Sequence, residues 1–173
     1  MTRLALAAVV AAALAPPAAG EEPKYQLENI SPIGKPEGFK TGQAARYALW
    51  YEDGTWHVRT TAGPKGGLTF EGTLEIIGGK MVSLVPVGIE GKEAKKKEAD
   101  TGTWNAQKTV FKFTLKTGAG HTDGFDLKVT DPATALKFTL TVGGDEAPGK
   151  IFIGAKGAHP KAATFYLPAH PGK

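Results

Sequence analysis

Apolar and polar residues alternate along most of the chain after residue 44, in short segments separated by turn-forming residues. The clearest segment is Leu68–Ile77, where apolar side chains recur at every second position and threonine or glutamate lies between them. Similar segments follow one another at a spacing of about ten residues, which is typical of an antiparallel sandwich or barrel. The predicted strands are Arg46–Tyr51, Trp56–Thr61, Leu68–Ile77, Lys80–Val87, Thr109–Leu115, Phe125–Thr130, Leu136–Val142, Lys150–Ile153 and Thr164–Leu167. The pattern predicts one all-β domain of eight or nine short strands, an antiparallel β-sandwich, with a barrel as the alternative.

Local signals add detail to this prediction. Asp53-Gly54 separates the first two strands, and Asp-Gly between two alternating runs is a strong hairpin signal. Gly72 falls on the apolar face of its strand, which predicts a bulge or a close backbone approach. Glu93–Ala99 is the one segment whose sequence is compatible with a helix. A helix of about two turns has only marginal stability on its own.

The first twenty residues differ from the rest of the chain. Arg3 is followed by the apolar run Leu4–Ala15 and then by small residues before Glu21, which is typical of a secretory signal peptide. The run is too short to span a bilayer, which needs about 20 apolar residues. We expect cleavage before Glu21, an extended arm at 21–44 and a β-sandwich domain at 45–173. The protein is therefore expected in the periplasm or outside the cell.

Composition narrows the classes of function. The sequence contains no cysteine, which excludes disulfides, thiolate metal sites and thiol catalysis. The formal charge of +4 is a weak indication of an acidic partner, and no nucleic-acid partner is predicted. The strongly charged stretch Glu90–Thr103 mixes lysine with glutamate, which favours a solvated loop over a basic binding patch. No second apolar run is long enough to span a membrane.

The densest group of chemically useful side chains lies on the predicted hairpin Arg46–Thr61. Exposed aromatic rings on a rigid sheet can stack on sugar rings, and Arg59 could form a forked pair with a carboxylate or phosphate. Core packing is the alternative, because aromatic cross-strand pairs stabilise ordinary sheets by ~0.2–1 kcal/mol each. Alternation predicts that Trp56 is buried and that His57 and Arg59 are exposed or line a shallow site. The candidate ligand-binding residues are Trp50, Tyr51, His57 and Arg59.

Other candidate chemistry is weaker. His121, Asp123 and Asp126 lie close together in sequence and are weak candidate metal ligands, although ordinary turn chemistry is the alternative. The sequence contains no nucleophile elbow of the Gly-x-Ser-x-Gly type, and no cofactor is predicted. The carboxylates of Glu52, Asp53 or Asp123 could serve a glycan hydrolase.

Several short patterns resemble a group of small exported bacterial β-domain proteins. The patterns are Tyr47-Ala48-x-Trp50-Tyr51, Gly54-x-Trp56-His57-x-Arg59-Thr60-Thr61, Phe70-x-Gly72-x-Leu74, Asp123-Gly124-Phe125-Asp126 and Ile151-Phe152-Ile153-Gly154. Together they extend over most of the chain after the expected signal peptide. The resemblance implies no particular activity, since none is assigned to the group.

Three functions are compatible with these observations. The leading hypothesis is an exported, non-catalytic binding or structural domain whose hairpin contacts a polysaccharide or an envelope partner. The second is an extracytoplasmic glycan hydrolase that uses carboxylates. The third is a subunit of an extracellular assembly, joined through the arm at 21–44.

Overall fold

The computed structural model describes residues 35, 45–88, 101–143, 150–154, 158–159 and 164–172. These residues form eleven strands and no helix. None of them forms a helix long and apolar enough to cross a membrane. The strands are β1 (Arg46–Glu52), β2 (Thr55–Thr61), β3 (Leu68–Ile77), β4 (Met81–Val87), β5 (Gly102–Trp104), β6 (Val110–Thr117), β7 (Thr122–Val129), β8 (Ala135–Val142), β9 (Lys150–Ile153), β10 (Ala158–His159) and β11 (Thr164–Pro168).

Two sheets make up the fold. One has six strands in the order β10-β9-β1-β2-β7-β4, and the other has five in the order β11-β8-β3-β6-β5. Neither sheet closes on itself, so the predicted β-sandwich is confirmed and the barrel alternative is wrong. One detail differs from a purely antiparallel sandwich, because β9 pairs parallel to β1. β8 and β9 follow one another among the described strands but lie in different sheets, and β9 runs beside β1 in the same direction.

All nine predicted strands are present, although several of their ends differ by one to three residues. The two unpredicted strands, β5 and β10, span three and two residues, which is too short for alternation to show. The expected signal peptide, the helix at Glu93–Ala99 and the arm, apart from Lys35, lie outside the described residues.

Inward-facing side chains from both sheets fill the core. Phe125 of β7 contacts the rings of Phe111 and Phe113 on β6 edge-on, at centroid distances of 5.5 and 5.3 Å, and so joins the two layers. Gly72 lies directly opposite Phe113 in a continuous register, and a β-carbon at that position would overlap the ring. Neither the bulge nor the close backbone approach predicted for Gly72 is present, because the group that lies against it is the side chain of Phe113.

Buried polar groups of the hairpin find partners in the second sheet or at the end of the sandwich. The Tyr47 hydroxyl lies 2.8 Å from the carbonyl oxygen of Glu71 and 2.9 Å from that of Thr141. Burial raises the pKa of Tyr47 far above its usual range, so the hydroxyl stays protonated. Trp56 is fully buried, as predicted, and its indole N–H donates to the carbonyl oxygen of Ala169 over 2.9 Å. These bonds tie the hairpin to the five-stranded sheet and to the segment after β11.

Candidate functional site

The turn between β1 and β2 determines which side chains reach the outer face of the six-stranded sheet. Asp53 and Gly54 both have positive φ, 49° and 73°, as a two-residue type I′ hairpin turn requires. Trp50 therefore lies directly opposite His57, and both side chains point away from the core. The predicted hairpin is confirmed, and its register places Trp50, which alternation alone could not.

Tyr51 does not belong to this outer face. It pairs with Trp56 and packs against the core, with the two rings 5.5 Å apart. Its hydroxyl lies 3.4 Å from Nδ1 of His170, whose Nε2 donates to the carbonyl oxygen of Thr130 over 3.0 Å. The four candidate ligand-binding residues are therefore divided between two faces of the sheet.

Asp126 joins the remaining candidates into one group on β1, β2 and β7. Its Oδ1 lies 2.7 Å from His57 Nδ1 and 2.7 Å from Arg59 Nη2. The Trp50 ring stacks on His57 with centroids 4.9 Å apart, and the Arg59 guanidinium carbon lies 5.3 Å from the Trp50 ring centroid. We call Trp50, His57, Arg59 and Asp126 the outer-face network.

Arg59 was expected to be exposed or to line a shallow site, and the first of these is wrong, because only 7% of its surface is exposed. Its Nη1 donates to the carbonyl oxygens of Val58 and Phe125, over 3.0 and 2.9 Å. The cause is Gly124, directly opposite on β7, where a β-carbon would collide with the backbone of Val58 and approach Arg59 Cδ to 3.0 Å. The guanidinium occupies the space that the missing side chain of Gly124 leaves. Its N–H groups donate to backbone carbonyls and to Asp126 rather than to a ligand.

His57 and Asp126 are the accessible members of the network, with 19% and 28% of their side chains exposed. Burial alone would raise the pKa of Asp126, but the hydrogen bonds from His57 and Arg59 and the charge of Arg59 outweigh it and lower that pKa. The carboxylate is therefore ionised and accepts from Nδ1–H of the imidazole. In the neutral ring this leaves Nε2 as a hydrogen-bond acceptor.

The weak metal candidates are not brought together. Asp123 and Asp126 lie three positions apart on β7, so their side chains are on opposite faces of the strand. His121 precedes β7, and its buried Nδ1 has no hydrogen-bond partner. Among the residues that the structure describes, no group of three histidine, cysteine or acidic side chains could hold a metal ion.

Of the carboxylates considered for hydrolysis, Asp123 lies far from the other two. Glu52 lies opposite Thr55 at the turn, Asp53 is in the turn itself, and Asp123 lies opposite Thr60. Thr55 and Thr60 are five positions apart on β2, which is about 16 Å. Glycosidases need two carboxyl groups at roughly 5–9.5 Å.

Asp126 is the member of the outer-face network that was not predicted as a ligand-binding residue. Alternation places it on the polar face of β7, and it places His57 and Arg59 on the corresponding face of β2. The sequence pattern does not show that β2 and β7 are neighbours, because the bond from His57 to Asp126 joins residues 69 positions apart.

No family model, no curated protein and no solved structure matches the chain. What can be inferred about function therefore comes from the outer-face network and from the cavities of this fold.

Proposed function

We propose that the protein is an exported, non-catalytic binding domain whose contact surface surrounds His57 and Asp126. The outer-face network is the observation that supports this function. The core between the sheets is complete without these side chains, and a buried ion pair is in general weak evidence for stability. The imidazole of His57 lies 2.7 Å from a carboxylate oxygen that Arg59 holds over 2.7 Å in turn, and it is partly exposed, so it is an oriented contact group.

The accessible atoms indicate a partner that donates hydrogen bonds. The second carboxylate oxygen of Asp126 is an acceptor to which no described residue bonds, and His57 Nε2 is an acceptor whenever the imidazole is neutral. Thr55 and Lys128 lie on the same face, one step nearer the turn, and add a hydroxyl and an ammonium group. A polysaccharide, rich in hydroxyl groups, is the partner this surface fits best.

Aromatic stacking on sugar rings is not part of this proposal. Trp50 is 7% exposed, and one face of its ring already lies on His57. Its role is to hold the imidazole from one side while Asp126 holds it from the other. Binding would then depend on directed hydrogen bonds rather than on an aromatic platform.

Binding can be measured by retention on columns of immobilised neutral polysaccharides. We expect His57→Ala to lose most retention while its far-UV circular dichroism stays that of the parent. Lys137→Ala, on the outer face of the other sheet, is the matched control and should be retained like the parent. Equal retention of His57→Ala, or a parent protein that no polysaccharide retains, would contradict the proposal. Capture only by isolated envelope proteins would indicate a protein partner instead.

Export is the second part of the proposal, and it rests on the composition of residues 1–20. Mass spectrometry of protein recovered outside the cytoplasm should find Glu21 at its N-terminus. An intact Met1 in that fraction would contradict it.

A further inference from the structure

A second site lies at the end of the sandwich where β3 ends and β4, β6 and β8 begin. A cavity of about 720 Å³ opens there between three turns, and it shares no residue with the outer-face network. We propose that this cavity binds one acidic sugar residue, a pyranose ring that carries a carboxylate. The residues that the argument uses are Glu75, Ile77, Lys80, Gln107, Thr109 and Pro132.

One wall of the cavity is fixed by Asn105 in the turn between β5 and β6. Its Oδ1 accepts from the backbone N–H groups of Thr109 and Val110, over 2.8 and 3.0 Å, and its Nδ2 donates to Thr109 Oγ1 over 2.8 Å. The backbone N–H of Ile76 donates to the carbonyl oxygen of Thr109 over 2.7 Å, which ties the turn to β3. Lys108 is held in the turn at a positive φ of 59°.

The opposite wall is fixed by the turn between β3 and β4. Lys80 donates its backbone N–H to Thr130 Oγ1 over 3.0 Å and accepts from the backbone N–H of Thr130 over 2.9 Å. A β-carbon on Gly79 would lie 2.6 Å from Cβ of Ala133, so this turn is packed against β7 and β8. Both walls are held by hydrogen bonds or packing before a ligand binds. Binding would therefore lose little free energy to the ordering of these turns.

The polar groups of the cavity match the hydroxyl groups of a sugar. Thr109 and Thr130 each accept one hydrogen bond through the hydroxyl oxygen, which leaves the O–H free to donate. Gln107 is exposed and offers a donor and an acceptor. Ile77 and Pro132 supply aliphatic surface for the apolar face of the ring. Few polar groups on an apolar floor are typical of small-molecule sites.

The charges favour a sugar acid over a neutral sugar. Glu75 has a cationic neighbour outside the cavity, since the ammonium nitrogen of Lys137 lies 3.7 Å from its carboxylate. Lys80 is exposed and forms no ion pair with any described residue. It is the one basic residue among those that line the cavity, and a carboxylate on the ligand could pair with it.

Galacturonate is the probe, titrated into isotopically labelled protein and followed by amide chemical shifts. We expect shifts at Gly78, Gly79, Gln107 and Thr109. Lys80→Gln should weaken binding by about tenfold or more, because a hydrogen bond to a charged group is lost. Galactose, which lacks the carboxylate, should bind more weakly by a similar factor. Lys116→Gln, an exposed lysine on the outer face of the five-stranded sheet, is the matched control and should bind like the parent.

Three results would overturn the site. They are no shifts up to the solubility limit of galacturonate, equal affinity of Lys80→Gln, and shifts of the same size with acetate alone, which would mean a simple anion contact. His57→Ala should leave the titration unchanged. The failure of this site and the failure of the outer-face network as a binding surface are therefore separate results.

Discussion

The outer faces of the two sheets are built in opposite ways. On the six-stranded sheet, Arg59 is buried and Asp126 is bonded on one oxygen to two partners at 2.7 Å. On the five-stranded sheet, most outward positions of β3, β6 and β8 are threonine, lysine or glutamate, and these polar side chains are exposed or half-buried. The ion pair of that face, between Lys137 and Glu75, is loose at 3.7 Å. Similar alternation in the sequence produces both faces.

The outer face of the five-stranded sheet is a solvated surface, whereas the outer-face network of the six-stranded sheet is an ordered group of bonded side chains. An exposed pair such as Lys137 and Glu75 contributes about 0–1 kcal/mol, because water screens it and two long side chains lose freedom. Arg59 is out of water, so its two backbone carbonyl partners and Asp126 depend on its charge. Substitutions on the two faces should therefore differ in cost, in pH dependence and in their effect on binding.

Arg59→Ala should have the largest effect. It leaves Asp126 half-buried without its cation and removes a donor from two backbone carbonyls, which should lower the free energy of unfolding by about 3 kcal/mol. Lys137→Ala on the other face should cost less than about 0.5 kcal/mol. Denaturant unfolding of both variants measures the difference. Equal costs would mean that the two faces are energetically alike.

Gly124→Ala should come next. The added β-carbon meets the backbone of Val58 and the Arg59 side chain, so β2 and β7 must separate or Arg59 must leave its position. Overpacking of this kind costs about 1–3 kcal/mol. Gly66→Ala is the control, because a β-carbon there meets nothing within 4 Å. Thermal unfolding of the two variants compares them, and equal midpoints would mean that the gap at Gly124 is not needed.

The strand positions could be predicted from the sequence because each depends on a local pattern of period two. The Leu68–Ile77 strand matches its prediction at both ends, and the Asp53-Gly54 turn has the backbone that its residues favour. The burial of Trp56 followed from the same alternation, because Trp56 shares its face with Val58.

The site could not be predicted, because it depends on which strands become neighbours. Alternation gave the correct face for His57 and Arg59 but no information about the strand beside them. The burial of Arg59 depends on Gly124, which is 65 positions away and whose lack of a side chain matters only after β2 and β7 have paired. The partnership of Asp126 with His57 and Arg59 could not be predicted for the same reason, and the sequence offers Asp126 only as a weak metal-ligand candidate.

The stability that the two faces contribute should also depend differently on acidic pH. Folding lowers the pKa of Asp126 below its ordinary value of 3.8, so its contribution to stability is complete above that value and is lost as the pH falls through the folded pKa. Asp126→Asn should therefore show a shallower loss of stability below about pH 5 than the parent. Asp53→Asn, in the exposed hairpin turn, is the control and should keep the parent slope. Identical slopes for all three proteins would show that Asp126 does not carry the acid response.

His57→Ala should have the smallest effect on stability of these substitutions. It removes one hydrogen bond and a ring stacked on Trp50, but Arg59 still neutralises Asp126. The free energy of unfolding should fall by about 1 kcal/mol, well below the cost of Arg59→Ala. Calorimetric unfolding, measured together with retention on the polysaccharide columns, separates a contact role of His57 from a structural one. If His57 is a contact group, His57→Ala should lose binding with little loss of stability. A cost as large as that of Arg59→Ala would make His57 part of the scaffold, and the outer-face network would then be a structural device rather than a binding surface.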